Sequence, residues 1–351
     1  MDSTITINGR RISPNDPPYV IAELSANHNG SIENALALIG HAKTIGADAI
    51  KLQTYRPDTI TLNSNSPEFF IDDGLWRGRT LYDLYQETHT PWEWHPQLFD
   101  CARKADITIF SSPFDATAID FLEDLGAPAY KIASFEAIDL PLIRYAASTG
   151  KPMIVSTGMA DKNEISEAVD AAKSAGCSEL VLLHCVSGYP APAADYNLAT
   201  LPDMAKQFCT PVGLSDHTLS STTAIASVTM GACVIEKHFT LDRSRGGADD
   251  SFSLEPAEFK LLIEQVSEAW MALGKIDYGR KSSEVSNIKF RRSLYFVQDI
   301  RKGDIISAAE VRSVRPGYGV PPKYLEDILG TKAKRDISAC TPVLATDLTK
   351  K

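Results

Sequence analysis

"VIEKHFTLDRSRGGADDSFSLEP", Val234–Pro256, begins as an apolar run and ends as a polar loop that carries two glycines. At the join stand Glu236, Lys237 and His238, an acid, a base and an imidazole in succession. One strand ending in charge decides nothing, because loops begin with polar residues for ordinary reasons of solvation. The reading turns on whether other strands of the chain end the same way.

Short runs rich in Val, Ile and Leu occur at Tyr19–Leu24, Ala47–Leu52, Ile107–Phe110, Ala129–Ile132, Met153–Val155, Leu180–Leu183, Pro211–Leu214 and Ala232–Ile235. Each has the character of a parallel strand buried on both faces. Amphipathic stretches such as "IENALALIGHAKTIGA", "TAIDFLEDLGA" and "NEISEAVDAAKSAG" lie between them, and several finish in glycine, as helices commonly do. Eight strand–helix units predict a closed (β/α)8 TIM barrel over residues ~17–275, after a short N-terminal extension, 1–17. An open, doubly wound sheet would instead carry a glycine-rich phosphate turn after its first strand, and no GxGxxG stands there. Thr54–Pro91, with Trp76, Tyr82 and Tyr85, exceeds a minimal unit and reads as an extended loop with a helix near the top of the barrel.

After Tyr278 the pattern changes. "GRKSSEVSNIKFRRS" is polar and basic, like a linker, and the rest has short strands punctuated by Pro and Gly. The expected division is therefore a barrel domain at 1–278, a linker at 279–290 and a small C-terminal domain at 291–351.

Composition narrows the function. The chain has 351 residues, 44% hydrophobic and 23% charged, with ample material for a core. A formal net charge of -10 argues against nucleic acid as the main partner. The N-terminus lacks the charged-then-apolar signal pattern, and no apolar run is long enough for a bilayer, so a cytoplasmic protein with no membrane partner is expected. Six cysteines lie far apart without a CxxC pair and read as reduced and mainly structural.

The other strands do end as the last one does. The tips carry Glu23; Lys51; Ser111 and Ser112; Lys131, Ser134 and Glu136; Ser156 and Thr157; His184 and Cys185, then Ser187 and Tyr189; Ser215, Asp216 and His217; and Glu236, Lys237 and His238. In a barrel all of these converge on the face where barrel enzymes do their chemistry. Lys51 and Lys131 with Ser134, Ser156 and Ser215 suit a small anion bearing a phosphate and a carboxylate. The alternative for the lysines is a buried salt bridge, for instance with Glu136. His217 and His238 could bind one divalent ion and leave positions for water and substrate, although two histidines alone are a weak metal signal.

"IAELSANHNGSIENALALIGHAKTIGADAIKLQTYRPDTIT", "SSPFD", "YKIASFEAIDLPLIRYAASTGKPMIVSTGMA", "HCVSGYPAP", "GLSDHT" and "EKHFTLDRSRGGADDSFSLEP" resemble the sialic acid synthase family. "KGDIISAAEVRSVRPG" resembles that family's antifreeze-like (SAF, β-clip) domain, and the likeness covers nearly the whole chain. Within the family, "GLWRGRTLYDLYQETHTPWEWHPQLF" and "FRRSLYFVQDI…RPGYGVPPKYL" look most like the subfamily that makes pseudaminic acid.

The resemblance implies that phosphoenolpyruvate condenses with an amino-sugar aldose and water to give a nine-carbon ulosonic acid and phosphate. For this subfamily the aldose would be 2,4-diacetamido-2,4,6-trideoxy-L-altrose. It further implies a divalent metal, Mn2+ or Mg2+, on His217 and His238, and a domain-swapped homodimer. Lys51, Ser134, Ser156 and Ser215 would hold the phosphate and Lys131 the carboxylate. Glu23 would handle a water or hydroxyl proton at the reacting centre. Glu136, Tyr189 and Asp249 would meet the sugar, with Arg315 of "VRPGYG" reaching over from the partner chain. Ser187 belongs to the phosphoenolpyruvate set but departs from the neuraminate synthases, which have Asn there, so contacts at that position are expected to be reshaped. Three rivals share parts of this pattern: a legionaminic or N-acetylneuraminic acid synthase, a non-catalytic sugar-binding barrel, and an aldolase forming a Schiff base on Lys131 or Lys237.

Overall fold

The computed structural model describes residues 4–350. They form two compact units, one up to Gly274 and one from Lys275 onward.

The first unit is a closed barrel of eight parallel strands, in the order β10-β3-β4-β5-β6-β7-β8-β9. These are β3 (Tyr19–Glu23), β4 (Ala49–Thr54), β5 (Thr108–Pro113), β6 (Tyr130–Ile132), β7 (Met153–Ser156), β8 (Leu180–Cys185), β9 (Val212–Asp216) and β10 (Val234–His238). Helices return the chain after each strand: α1 (Ile32–Ile45), then α2 (Pro57–Ile60), α3 (Leu81–Thr88) and α4 (His95–Ala105) after β4. They continue as α5 (Ala116–Asp124), α6 (Leu140–Ser148), α7 (Lys162–Ser174), α8 (Thr200–Phe208), α9 (Thr222–Thr229) and α10 (Pro256–Leu273). Local chemistry fixes their starts. The Ser31 hydroxyl accepts from Asn34 N to open α1, Asp115 caps α5, and Asp161 with Glu164 makes a reciprocal capping box on α7.

Alternation along each strand sorts the side chains. Ile50, Leu52, Ile132, Val155, Leu214 and Ile235 join the helices in the large outer core. Tyr19, Ile21, Ala49, Phe110, Ala129, Ile154, Val181, Leu183 and Val234 fill the barrel itself. Gly213 belongs to this inner set. A Cβ there would sit 2.4 Å from Val234 O and 2.6 Å from Leu183 Cδ2, so the position admits only glycine.

The N-terminal extension is a structural element rather than a tail. Its hairpin, β1 (Ile5–Ile7) and β2 (Arg10–Ile12), sends Ile5, Ile7 and Ile12 into the inner cluster. These three side chains join residues from the N-terminal halves of the strands, so the hairpin plugs that end of the barrel. The Thr54–Pro91 excursion contains α2, α3 and a 3-10 turn at Pro67–Phe69, in keeping with a long loop carrying a helix.

The second unit opens with a 3-10 helix, Ser282–Phe290, that buries none of its residues. Strands β11 (Ser293–Phe296) and β12 (Val311–Val314) pair antiparallel over a small core of Leu294, Phe296, Ile300, Ile306, Val311, Ile328, Ile337 and Val343. Among the described residues no helix is long and apolar enough to cross a membrane.

Candidate active site

The inward-facing parity that packs the barrel interior continues to the C-terminal tips and there turns polar. It brings Glu23, Lys51, Ser112, Lys131, Ser156, Cys185, Ser215 and Glu236 to one mouth of the barrel, a residue from each of the eight strands. All are buried. Charges inside a dry barrel are costly unless paired, and here they form a chain. Lys51 is ion-paired with Glu23 and lies 3.8 Å from Glu236 Oε1. Lys131 Nζ donates to the same Oε1 at 3.0 Å, as does Ser215 Oγ at 3.2 Å. The partner of Lys131 is thus Glu236, on the strand opposite, and that of Lys51 is Glu23, on the neighbouring strand; neither is Glu136. The ion pairs exist, but on residues that the strand tips themselves supply.

The shared charges set the protonation states. Burial holds the Glu23 carboxyl above the usual carboxylate range, against the pull of Lys51. Burial also pushes Glu236 upward, but Lys131 and Lys51 outweigh it and leave it below the usual value. For Lys51, desolvation is overcome by Glu23 and Glu236, and its pKa rises. For Lys131, desolvation prevails over Glu236 and the pKa falls.

Beside this chain is a cradle of hydroxyls. Ser156 Oγ and Ser187 Oγ are buried without a partner, and Ser134 Oγ accepts from Gly158 N at 3.2 Å. A Cβ on Gly158 would stand 2.3 Å from Ser187 Oγ and 2.8 Å from Ser134 Oγ. Glycine at 158 therefore lets a backbone N–H and the Ser134 and Ser187 hydroxyls share one small space, with the unpartnered Ser156 two residues earlier on β7. That donor set suits phosphate oxygens. Ser187, where reshaped contacts were expected, falls in this group.

His217 and His238 face each other with ring centroids 5.5 Å apart. His217 Nδ1 donates to Val186 O at 2.8 Å, which leaves Nε2 as the free nitrogen. His238 Nδ1 is buried without a partner. Burial, then His217 and the lysines, hold the His238 pKa well below the ordinary imidazole value, so it is neutral. Two imidazole nitrogens with nothing to bind fit one divalent ion with two protein ligands. Among the described residues no group of three His, Cys, Asp or Glu is arranged for a metal, so its other positions would fall to water and substrate.

Around the histidines stands an aromatic wall. Tyr189 lies 4.3 Å from His217 and 5.2 Å from Phe252, and Phe252 lies 4.9 Å from His238. Trp76 comes from the β4 excursion, meets Tyr189 at 6.0 Å and donates to Ala248 O at 3.1 Å. Asp249 is bound by Ser25 Oγ, and Gln53 Nε2 donates to Ser25 Oγ at 3.0 Å and to Glu23 Oε1 at 3.2 Å. Asp249 is thus tied to Glu23 through two residues that the sequence did not single out. Cys185 also departs from a purely structural role, since its Sγ lies 3.8 Å from His217 Nδ1. Arg315 is exposed in the second unit, just after β12.

Glu136 ends the 3-10 turn after β6, with Oε2 buried and unpartnered. Burial raises its pKa to about 7. A carboxyl raised in the folded state stabilises the fold below its unfolded pKa, and that stability is lost as pH climbs toward 7. Glu136→Gln is therefore expected to melt like the parent at pH 5 and to be more stable at pH 8, by about 1–3 kcal/mol. Equal melting temperatures at both pH values would show that the carboxyl is not desolvated.

Strand parity alone would have identified Glu236 and Gln53, which share faces with His238 and Lys51. Ser25 and Gly158 lie in loops and Phe252 ends the 3-10 turn Asp250–Phe252, so none of them had such a signal.

The NeuB family model matches residues 38–278 and the SAF domain model residues 291–349. The pseudaminic acid synthase of Campylobacter jejuni (strain 81-176) is 46% identical over 321 residues, 91% of this chain and 93% of that protein. The pseudaminic acid synthase of Helicobacter pylori is 42% identical over 333 residues, 95% of this chain and 98% of that protein. Among solved structures, the N-acetylneuraminic acid synthetase of Leptospira borgpetersenii superposes with a TM-score of 0.73 at 30% identity, covering 82% of this chain and 96% of that one. With a closed barrel whose mouth joins paired histidines to a lysine–serine cradle, and with matches along nearly its whole length, this chain belongs to the NeuB family and carries a C-terminal SAF domain.

Proposed function

We propose that this chain is a pseudaminic acid synthase: it joins phosphoenolpyruvate to 2,4-diacetamido-2,4,6-trideoxy-L-altrose with entry of water, and releases pseudaminic acid and phosphate. The observation that carries the reading is the juxtaposition, in one barrel mouth, of an anion cradle and a pair of imidazoles with free nitrogens. The choice of aldose rests on identities of 42–46% to two pseudaminic acid synthases.

In this reading Lys51, Ser134, Ser156, Ser187, Ser215 and Gly158 N receive the phosphate, and Lys131 receives the carboxylate. The lysines are already held in place by Glu23 and Glu236, so little ordering remains when the anion arrives. His217 and His238 would hold a divalent ion, Mn2+ or Mg2+, which when bound acts as a Lewis acid on the aldehyde oxygen. Tyr189, Glu136 and Asp249 orient the sugar against the nucleophilic C3 carbon. As the C3–C1 bond forms, positive charge develops at C2 of the former phosphoenolpyruvate. Glu23 stabilises that charge and takes a proton from the water that adds there, after which phosphate leaves. Gln53 and Lys51 fix the Glu23 carboxylate in position.

The active unit in this reading is a domain-swapped homodimer acting in the cytoplasm, where phosphoenolpyruvate is available. Phe135, Ile138, Met159 and Leu219 support the dimer. Each is more than half exposed, and they sit in the loops that follow β6, β7 and β9, at the catalytic end of the barrel. An apolar rim of this kind is a contact surface. Arg315 of the partner's SAF domain would complete the sugar site.

The deciding test is incubation with phosphoenolpyruvate, Mn2+ and a panel of amino-sugar aldoses, with products identified by mass. Preferred turnover of the 6-deoxy L-altrose derivative is expected. Preference for the aldose of legionaminic or N-acetylneuraminic acid would reassign the substrate, and absence of phosphate release with every aldose would reject synthase activity. The anion pocket has its own test. Lys51→Ala and Lys131→Ala are expected to weaken phosphoenolpyruvate binding roughly ten- to a hundredfold, the value of one charge-assisted contact. Unchanged titrations in both variants would remove the lysines from the pocket.

A further inference from the structure

His217 and His238 point into the barrel, and the residues just before them, Asp216 and Lys237, point out of it, toward the helices. On these two strands the outward face is otherwise apolar: Leu214 and Ile235, two residues earlier, belong to the large core. Asp216 and Lys237 are each 1% exposed. They are register partners on β9 and β10, with Lys237 Nζ 2.8 Å from Asp216 Oδ2.

An isolated buried pair is weak evidence for stability, because well-packed apolar residues of similar volume often do as well or better. The remaining bonds of this pair are more telling. Lys237 Nζ also donates to Thr218 O at 2.5 Å and to Asp216 O at 3.4 Å. An ammonium has three protons, and all three are spent on the two residues that flank His217. Asp216 Oδ1 closes the loop by accepting from Thr218 N at 2.9 Å. His217 itself is held by its N–H, which donates to Tyr196 Oη at 2.7 Å, and by its carbonyl, which accepts from Ala191 N at 3.0 Å. One ammonium therefore grips the backbone on both sides of the first histidine and is covalently adjacent to the second.

We propose that Lys237 and Asp216 are positioning residues: a buried clamp outside the barrel that fixes the separation and aim of the His217 and His238 imidazoles inside it. The proposal rests on the reading of those histidines as metal ligands. It also explains the run Glu236-Lys237-His238. Strand alternation sends Glu236 and His238 into the chemistry and Lys237 to the scaffold behind it.

The test uses the full-length protein and Mn2+ alone, with free metal followed by electron paramagnetic resonance. Asp216→Asn/Lys237→Met removes both charges together, so no unpaired charge is left buried, and Asn keeps an oxygen for Thr218 N. Its melting temperature is expected to stay close to the parent's while Mn2+ affinity falls about ten- to a hundredfold, as when supporting groups around a metal site are lost. A second readout needs no metal. In protein labelled with 15N-histidine, the His217 Nδ1–H bonded to Val186 O gives a downfield resonance, assigned by its loss in His217→Ala. That resonance is expected to broaden or vanish in the double variant. Lys237→Arg keeps a charge opposite Asp216 but spreads its donors over a plane, and the same losses are expected. Parental Mn2+ affinity and an intact resonance in either folded variant would overturn the clamp. If wild type and His217→Ala bind Mn2+ equally, the metal reading fails, and the resonance alone decides whether the clamp aims His217.

Discussion

Replacing His217 or His238 by alanine is expected to abolish synthesis while leaving a cooperatively folded barrel. The expected loss is on the order of 10³-fold or more in kcat, since a Lewis acid on the aldehyde contributes several kcal/mol to the transition state. Both side chains stand above the apolar layers of the barrel, which remain filled by Phe110, Ile154 and Leu183 when an imidazole is truncated. The melting temperature should therefore move little. Strong chelator should silence the parent and added Mn2+ restore it. Full turnover in chelator, with the alanine variants still dead, would keep the histidines in the site but recast them as proton carriers.

The second large effect tests the proposal that active sites are shared between the chains of a swapped dimer. Arg315→Ala and Glu23→Ala are each expected to be nearly inactive alone. After subunit exchange, a mixed dimer with swapped SAF domains has one site with both residues intact. Statistical mixing makes half of the dimers mixed, so recovery of roughly a quarter of wild-type activity is expected. Glu23→Ala removes the counter-ion of Lys51, and Glu23→Gln, which keeps the hydrogen-bonding shape, serves as a second partner in the mixture. Verified exchange with no recovered turnover would reject the shared site and leave the SAF domain without a catalytic role.

The sequence by itself determined the barrel and most of what lines its mouth. Parallel strands buried on both faces make short apolar runs, and a barrel places all their C-terminal ends on one side. Lys51, Lys131, His217 and His238 could therefore be assigned to a common site before any coordinate was known. Strand alternation is also a property of the sequence, and it sorts Glu236 from Lys237.

Only the tertiary structure decided who meets whom. Lys131 and Glu236 lie 105 positions apart and touch at 3.0 Å because the closed barrel carries both strands around one interior. Local spacing had pointed instead to Glu136, five residues from Lys131, but the 3-10 turn after β6 leaves Glu136 Oε2 buried without a partner. Gly158 under Ser187, Gln53 between Glu23 and Ser25, and Cys185 beside His217 are likewise products of loop geometry and barrel closure. Residue types and periodicity fix which side chains face the mouth. Distances between them depend on how eight strands tilt and close, and that is a property of the whole barrel rather than of any segment.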